Sequence, residues 1–119
     1  MIGATLVGLV ALIHLAILVM EMFLWERPSV RRIFRITPDF AANTRVLAAN
    51  QGLYNGFLAA GLVLALLRGL PGPGAELAYF TLACVIVAGL YGAVTVGRRI
   101  LYVQALPAFL ALAAVLSGV

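Results

Sequence analysis

Charge is scarce in this 119-residue chain: lysine and arginine together number eight and the acids four, 10% of all residues, where an ordinary soluble domain carries about 25%. Cysteine occurs once, as Cys84, which excludes an internal disulfide and any multi-cysteine metal site. It reads as a small apolar residue of the interior. Histidine also occurs once, as His14, and Glu21 is the one acid inside the apolar stretches. A metal wants three or four such ligands, and haem would rest on His14 alone. Neither a metal nor a cofactor is expected. The net charge of +4 comes with no basic face on a soluble fold and no aromatic motif, which argues against nucleic acid as a partner.

What is present is oil. Hydrophobic residues make up 65% of the chain and the mean hydropathy is +1.14, values that belong in a bilayer. Crossing roughly 30 Å of hydrocarbon takes about 20 helical residues. Four stretches qualify, at about 2–25, 45–67, 77–97 and 100–118. The expected architecture is all-α: a single transmembrane domain over 1–119, built as a four-helix bundle. No arginine or lysine precedes the first apolar stretch, so it reads as a retained span, not a cleaved signal.

Between spans 1 and 2, Val30, Ile33 and Phe34 share helical spacing against Arg31, Arg32 and Arg35, which predicts a short helix lying on the membrane surface. Thr37, Pro38 and Asp39 form a helix start, with a capping hydroxyl, a first-turn proline and a favourable negative charge. The second span is therefore expected to begin outside the bilayer. "RGLPGPGAE" is a turn before span 3.

Arginines set the orientation. Arg27, Arg31, Arg32, Arg35 and Arg45 flank the first connection, Arg98 and Arg99 the third, and Arg68 alone the second, opposite Glu76. Loops 26–44 and 98–99 should then be cytoplasmic and both termini outside, in the inner (plasma) membrane. Membrane lipids are the expected partners, with anionic headgroups drawn to the arginines.

The ionisable residues of "HLAILVMEMFLW", 14–25, are the puzzle. With Trp25 as the interfacial anchor and about 1.5 Å of rise per residue, Glu21 lies roughly 6 Å and His14 roughly 16 Å inside the cytoplasmic boundary. Counted inward from Arg45, Asn50 and Gln51 fall at roughly 8–9 Å and Asn55 at about 15 Å. Tyr91 and Thr95 on span 3 and Gln104 on span 4 lie at comparable levels. His14, Leu18, Glu21 and Trp25 form one helical stripe; so do Asn50, Tyr54 and Phe57, with Gln51 and Asn55 beside them. Intramembrane ionisable groups cost several kcal/mol and turn inward to find partners. The expectation is a buried polar pocket of His14, Glu21, Trp25, Asn50, Gln51, Tyr54, Asn55, Tyr91 and Gln104, centred on Glu21. The bland alternatives are a carboxyl held by amides to fix helix packing, and a neutral core imidazole.

Small residues point to close helix packing: Gly52 and Gly56, extended by Ala60, and Gly89, Ala93 and Gly97. Those faces could be used inside one protomer or to form a homodimer. Pro107 removes a backbone donor within span 4 and predicts a kink. Tyr79 and Tyr102 read as interface anchors, whereas Tyr54 and Tyr91 sit deeper and need hydroxyl partners.

"HLAILVMEMFLW" and "NQGLYNGFLAAGL" resemble the bacterial integral membrane family known as domain of unknown function 1304, over essentially the whole chain. The resemblance implies that Glu21, Trp25, Asn50, Gln51, Gly52, Tyr54 and Asn55 belong to shared motifs; it brings no activity with it. In architecture alone, four spans with a carboxylate in the first, the chain looks like the small multidrug resistance exporters, from which it departs at His14 and in its Asn/Gln/Tyr cluster.

Three functions fit. One is binding or transport of a small amphiphile or cation, with Glu21 titrating. Another is an intramembrane enzyme acting on a lipid-like substrate, with His14 and Glu21 as acid and base about 10 Å apart along the helix. The third is a structural or accessory subunit whose polar core specifies helix order.

Overall fold

The computed structural model describes residues 1–119. Its elements are α1 (Ile2–Phe23), α2 (Pro28–Phe34), α3 (Pro38–Asn43), α4 (Arg45–Arg68), α5 (Ala75–Thr95), α6 (Arg98–Ile100), a π-helical turn (Leu101–Ala105) and α7 (Leu106–Leu116). There are no strands. Four helical segments are long and apolar enough to cross a bilayer: Ile2–Phe23, Pro38–Arg68, Ala75–Thr95 and Arg98–Leu116. This is an all-α polytopic membrane bundle.

The chain divides into two compact units, one of residues 1–13 with 58–119 and one of residues 14–57. The first holds a core to which four helices contribute: Val7, Val10 and Ala11 of α1, Leu62 and Ala65 of α4, Ala78, Leu82 and Val85 of α5, and Ala108, Ala111 and Val115 of α7. Lipid offers Leu the same apolar surroundings as the core does, so the association rests on close packing, which the alanines permit. A Cβ on Gly89 would stand 2.8 Å from the Ala105 nitrogen, and one on Gly92 would stand 2.9 Å from an Ile100 methyl. Gly61 makes room for Thr81 in the same way. The expected role of Gly97 is corrected, because nothing lies within 4 Å of a Cβ placed there: it sits in the link to α6, past the end of α5. Of the two tyrosines near span ends, Tyr79 packs against the core and Tyr102 is 61% exposed.

The turn before α5 needs its glycines. Gly69 and Gly72 have φ of +109° and +148°, a region open to glycine and closed to most side chains. Pro107 does not produce a simple kink. The helix widens just before it, with the Leu106 amide reaching back five residues to the Leu101 carbonyl. A proline ring collides with the carbonyl four residues earlier, here Val103, and the wider turn precedes that point.

The second unit contains α2, α3 and the adjoining parts of α1 and α4. α2 buries Val30, leaves Ile33 and Arg32 exposed, and ends at Arg35 with φ +57°. Thr37 caps α3, its hydroxyl accepting from the Phe40 amide at 3.1 Å. After a single break at Thr44 the chain continues as α4.

Candidate functional site

Within the second unit α1 and α4 run antiparallel along a glycine seam. A Cβ on Gly52 would meet the Met22 Cγ at 2.6 Å, the Glu21 Cβ at 3.1 Å and the Leu18 carbonyl at 3.2 Å; one on Gly56 would meet the Leu18 Cδ1 at 2.6 Å. Both glycines are therefore used inside the protomer. Their absent side chains bring Glu21 against α4, where the Asn55 amide Nδ2 donates to Glu21 Oε1 at 2.7 Å. The same nitrogen also donates to the Gln51 carbonyl at 3.2 Å, one turn back on its own helix. Asn55 is thereby fixed with both N–H groups used.

The other amides do not join this pair. Asn50 and Gln51 are exposed, and Tyr54 is 54% exposed with its ring edge-on to Phe57 at 5.9 Å. The expected inward stripe of Asn50, Tyr54 and Phe57 is corrected for a geometric reason. At about 100° per residue, Asn50 and Tyr54 stand roughly opposite the Gly52–Gly56 seam, Gln51 well away from it and Asn55 at its edge. Gly seams bring backbones together, so they decide which face turns inward. Gln51 contributes its carbonyl, not its side chain. His14 is 1% exposed, an interior residue as expected.

Tyr91 and Gln104 belong to the first unit. Tyr91 is 73% exposed, with its carbonyl taken by the Thr95 hydroxyl at 2.8 Å, and Gln104 is half-buried in the π-helical turn. The buried hydroxyl partners expected for Tyr54 and Tyr91 give way to exposure of both rings.

Trp25 closes the α1 end of the second unit. Its indole Nε1 donates to the Thr44 hydroxyl at 3.1 Å, and that hydroxyl donates to the Phe40 carbonyl at 2.6 Å. The ring also meets Phe34 of α2, edge to face, at 4.9 Å. One residue thus ties α1 to α2 and to the α3–α4 junction. Beside it opens a cavity of about 490 Å³, walled by Met22, Phe23, Leu24, Trp25, Glu26, Arg27, Pro28 and Arg45. Sequence reasoning singled out Trp25 for this site but not Thr44 or Arg45, because a hydroxyl and a guanidinium 19 and 20 residues along the chain acquire meaning only once α2 and α3 fold the loop back.

Residues 8–116 match a family described as protein of unknown function (DUF1304). The chain belongs to the DUF1304 family. It is 31% identical over 106 residues, 87% of each chain, to the uncharacterized protein YpaA of Lactococcus lactis subsp. lactis (strain IL1403). No solved structure matches it. The matched DUF1304 region contains both units' helices, including Glu21, Asn55, Trp25 and Thr44.

Proposed function

We propose that this protein binds or transports a small amphiphile or cation in the cytoplasmic half of the bacterial inner membrane, with Glu21 as the titrating group. The observation that carries the reading is the Glu21–Asn55 bond of 2.7 Å between two apolar spans. A carboxyl in a span costs several kcal/mol and marks function by default. Helix packing gives no reason for it, since the Gly52–Gly56 seam supplies close approach without an acid. Asn55 engages one oxygen of the carboxyl, and the other is the acceptor for a proton or a cation.

Proton and cation compete for that oxygen, so cation affinity should rise as pH rises through the titration of Glu21. The test is binding of tetraphenylphosphonium to the full chain in lipid nanodiscs between pH 5 and 8. Wild type should bind more tightly at the upper end, and Glu21→Gln should bind weakly with a flat profile. Equal binding by the two proteins, with no change across that range, removes Glu21 from the function. A carboxyl that only orders the helices would give that result.

A further inference from the structure

We propose that the cavity beside Trp25 is an anion site that takes the phosphate of an anionic amphiphile, with Arg27 and Arg45 as the phosphate contacts. The site is separate from the Glu21 carboxyl, which does not line it. Its volume of about 490 Å³ lies in the range of small-molecule pockets, about 300–1,000 Å³. Its ionic lining is two arginines and one acid, Glu26, a net positive wall. A guanidinium offers parallel N–H donors that match phosphate oxygens two at a time. Arg31 is already committed: its Nε donates to the Glu26 carbonyl at 3.1 Å, closing the turn between α1 and α2.

The remaining walls select for a tail. Met22, Phe23 and Leu24 continue the apolar surface of α1, and Phe23 is 70% exposed. Trp25 forms a fixed aromatic wall, held by Thr44 and Phe34. A phosphate head at the arginines with its chain laid along Phe23 satisfies both parts, and a cationic head would meet two like charges. The phosphate could come from a membrane phospholipid or from a free phosphate compound; the chemistry recognised is the same.

Trp25 is the single tryptophan of the chain and lines the site, so it reports on occupancy directly. Full-length protein is reconstituted in phosphatidylcholine vesicles and its fluorescence followed as brominated phosphatidylglycerol or brominated phosphatidylcholine is added. The phosphatidylglycerol should quench at the lower mole fraction. Arg27→Gln with Arg45→Gln should lose that preference by roughly fivefold per arginine. Arg32→Gln with Arg35→Gln, which removes the same charge from neighbouring positions that do not line the cavity, should keep most of it. Arg27→Lys with Arg45→Lys keeps the charge but not the fork and should fall between, which covers the event that the glutamine pair misfolds. Glu21→Gln should retain the preference, separating this proposal from the one above. Inorganic phosphate that displaces the quencher at millimolar concentration assigns the site to a free anion; failure to displace assigns it to a lipid. Equal quenching by the two brominated lipids overturns the proposal. So does an equal loss in both arginine-to-glutamine pairs, which would show attraction to the loop's charge as a whole.

Discussion

Glu21 and Asn55 form a pair in which the amide gives and the carboxyl receives, and the two sides are not equivalent under substitution. Glu21→Gln keeps an oxygen for Asn55 to donate to and should fold as wild type does. Asn55→Ala strips the carboxyl of its donor, a loss of about 1–3 kcal/mol, read as a lower midpoint for loss of helical circular dichroism in detergent. Glycines give a graded series on the same measurement. Gly89→Ala drives a methyl into backbone, 2.8 Å from the Ala105 nitrogen and 3.1 Å from its Cα, whereas Gly52→Ala meets first the flexible Met22 side chain at 2.6 Å. Overpacking typically costs about 1–3 kcal/mol, and the cost should fall from Gly89 to Gly52 to Gly97, where the added methyl touches nothing within 4 Å. Equal midpoints for all three would deny the close approaches. At this scale the sequence told half the story. Glu21, Asn55 and the GxxxG step were each visible, but depth alone could not say that the glycine face, lying roughly opposite Asn50 and Tyr54, would be the one to turn inward.

Helical periodicity made α2 readable as an element and capping chemistry made Thr37 readable as a helix start, because both are local properties; the break at Thr44 that separates α3 from α4 was not announced. Thr37 caps α3 as its neighbours predict, and replacing it with alanine should cost about 1 kcal/mol. The end of α2 was not readable: Arg35 occupies a left-handed conformation with no glycine to announce it, and its place is set by the Ile36 amide reaching back to the Arg31 carbonyl at 3.0 Å. Span 4 shows the same boundary of local reasoning. Proline at 107 foretold a disturbance, while its form, a widened turn over Leu101–Ala105, depends on how α5 receives Ala105 at Gly89. Pro107→Ala restores the missing amide and removes the collision with the Val103 carbonyl, so the turn should tighten toward ordinary α-helix. Tightening would rotate Tyr102 and Gln104 about the helix axis relative to α7. A cysteine at 102, placed in a Cys84→Ala background, should change its maleimide labelling rate when Pro107 is replaced; an unchanged rate would mean the wide turn is held by packing alone.

Seven arginines, at 27, 31, 32, 35, 45, 98 and 99, flank the first and third connections, and Arg68 alone flanks the second. Both chain ends come together in the first unit, where the Met1 amine and the Ile2 amide each donate to the Val119 carbonyl. Four spans return the chain to the side where it began, and this pairing of the ends agrees with that count. Positive loops stay in the cytoplasm, so a reporter active only outside the cytoplasm should work at either terminus. Four of the seven arginines lie on or beside α2, at 27, 31, 32 and 35. Changing these four to glutamine leaves three against one, and reporters at the termini should then read a mixture of orientations. The bias acts before helices pack, because it decides which loops cross, whereas the glycine seam and the Trp25 tie operate only afterwards. An orientation that survives the fourfold change intact would mean that something other than arginine holds the first connection inside.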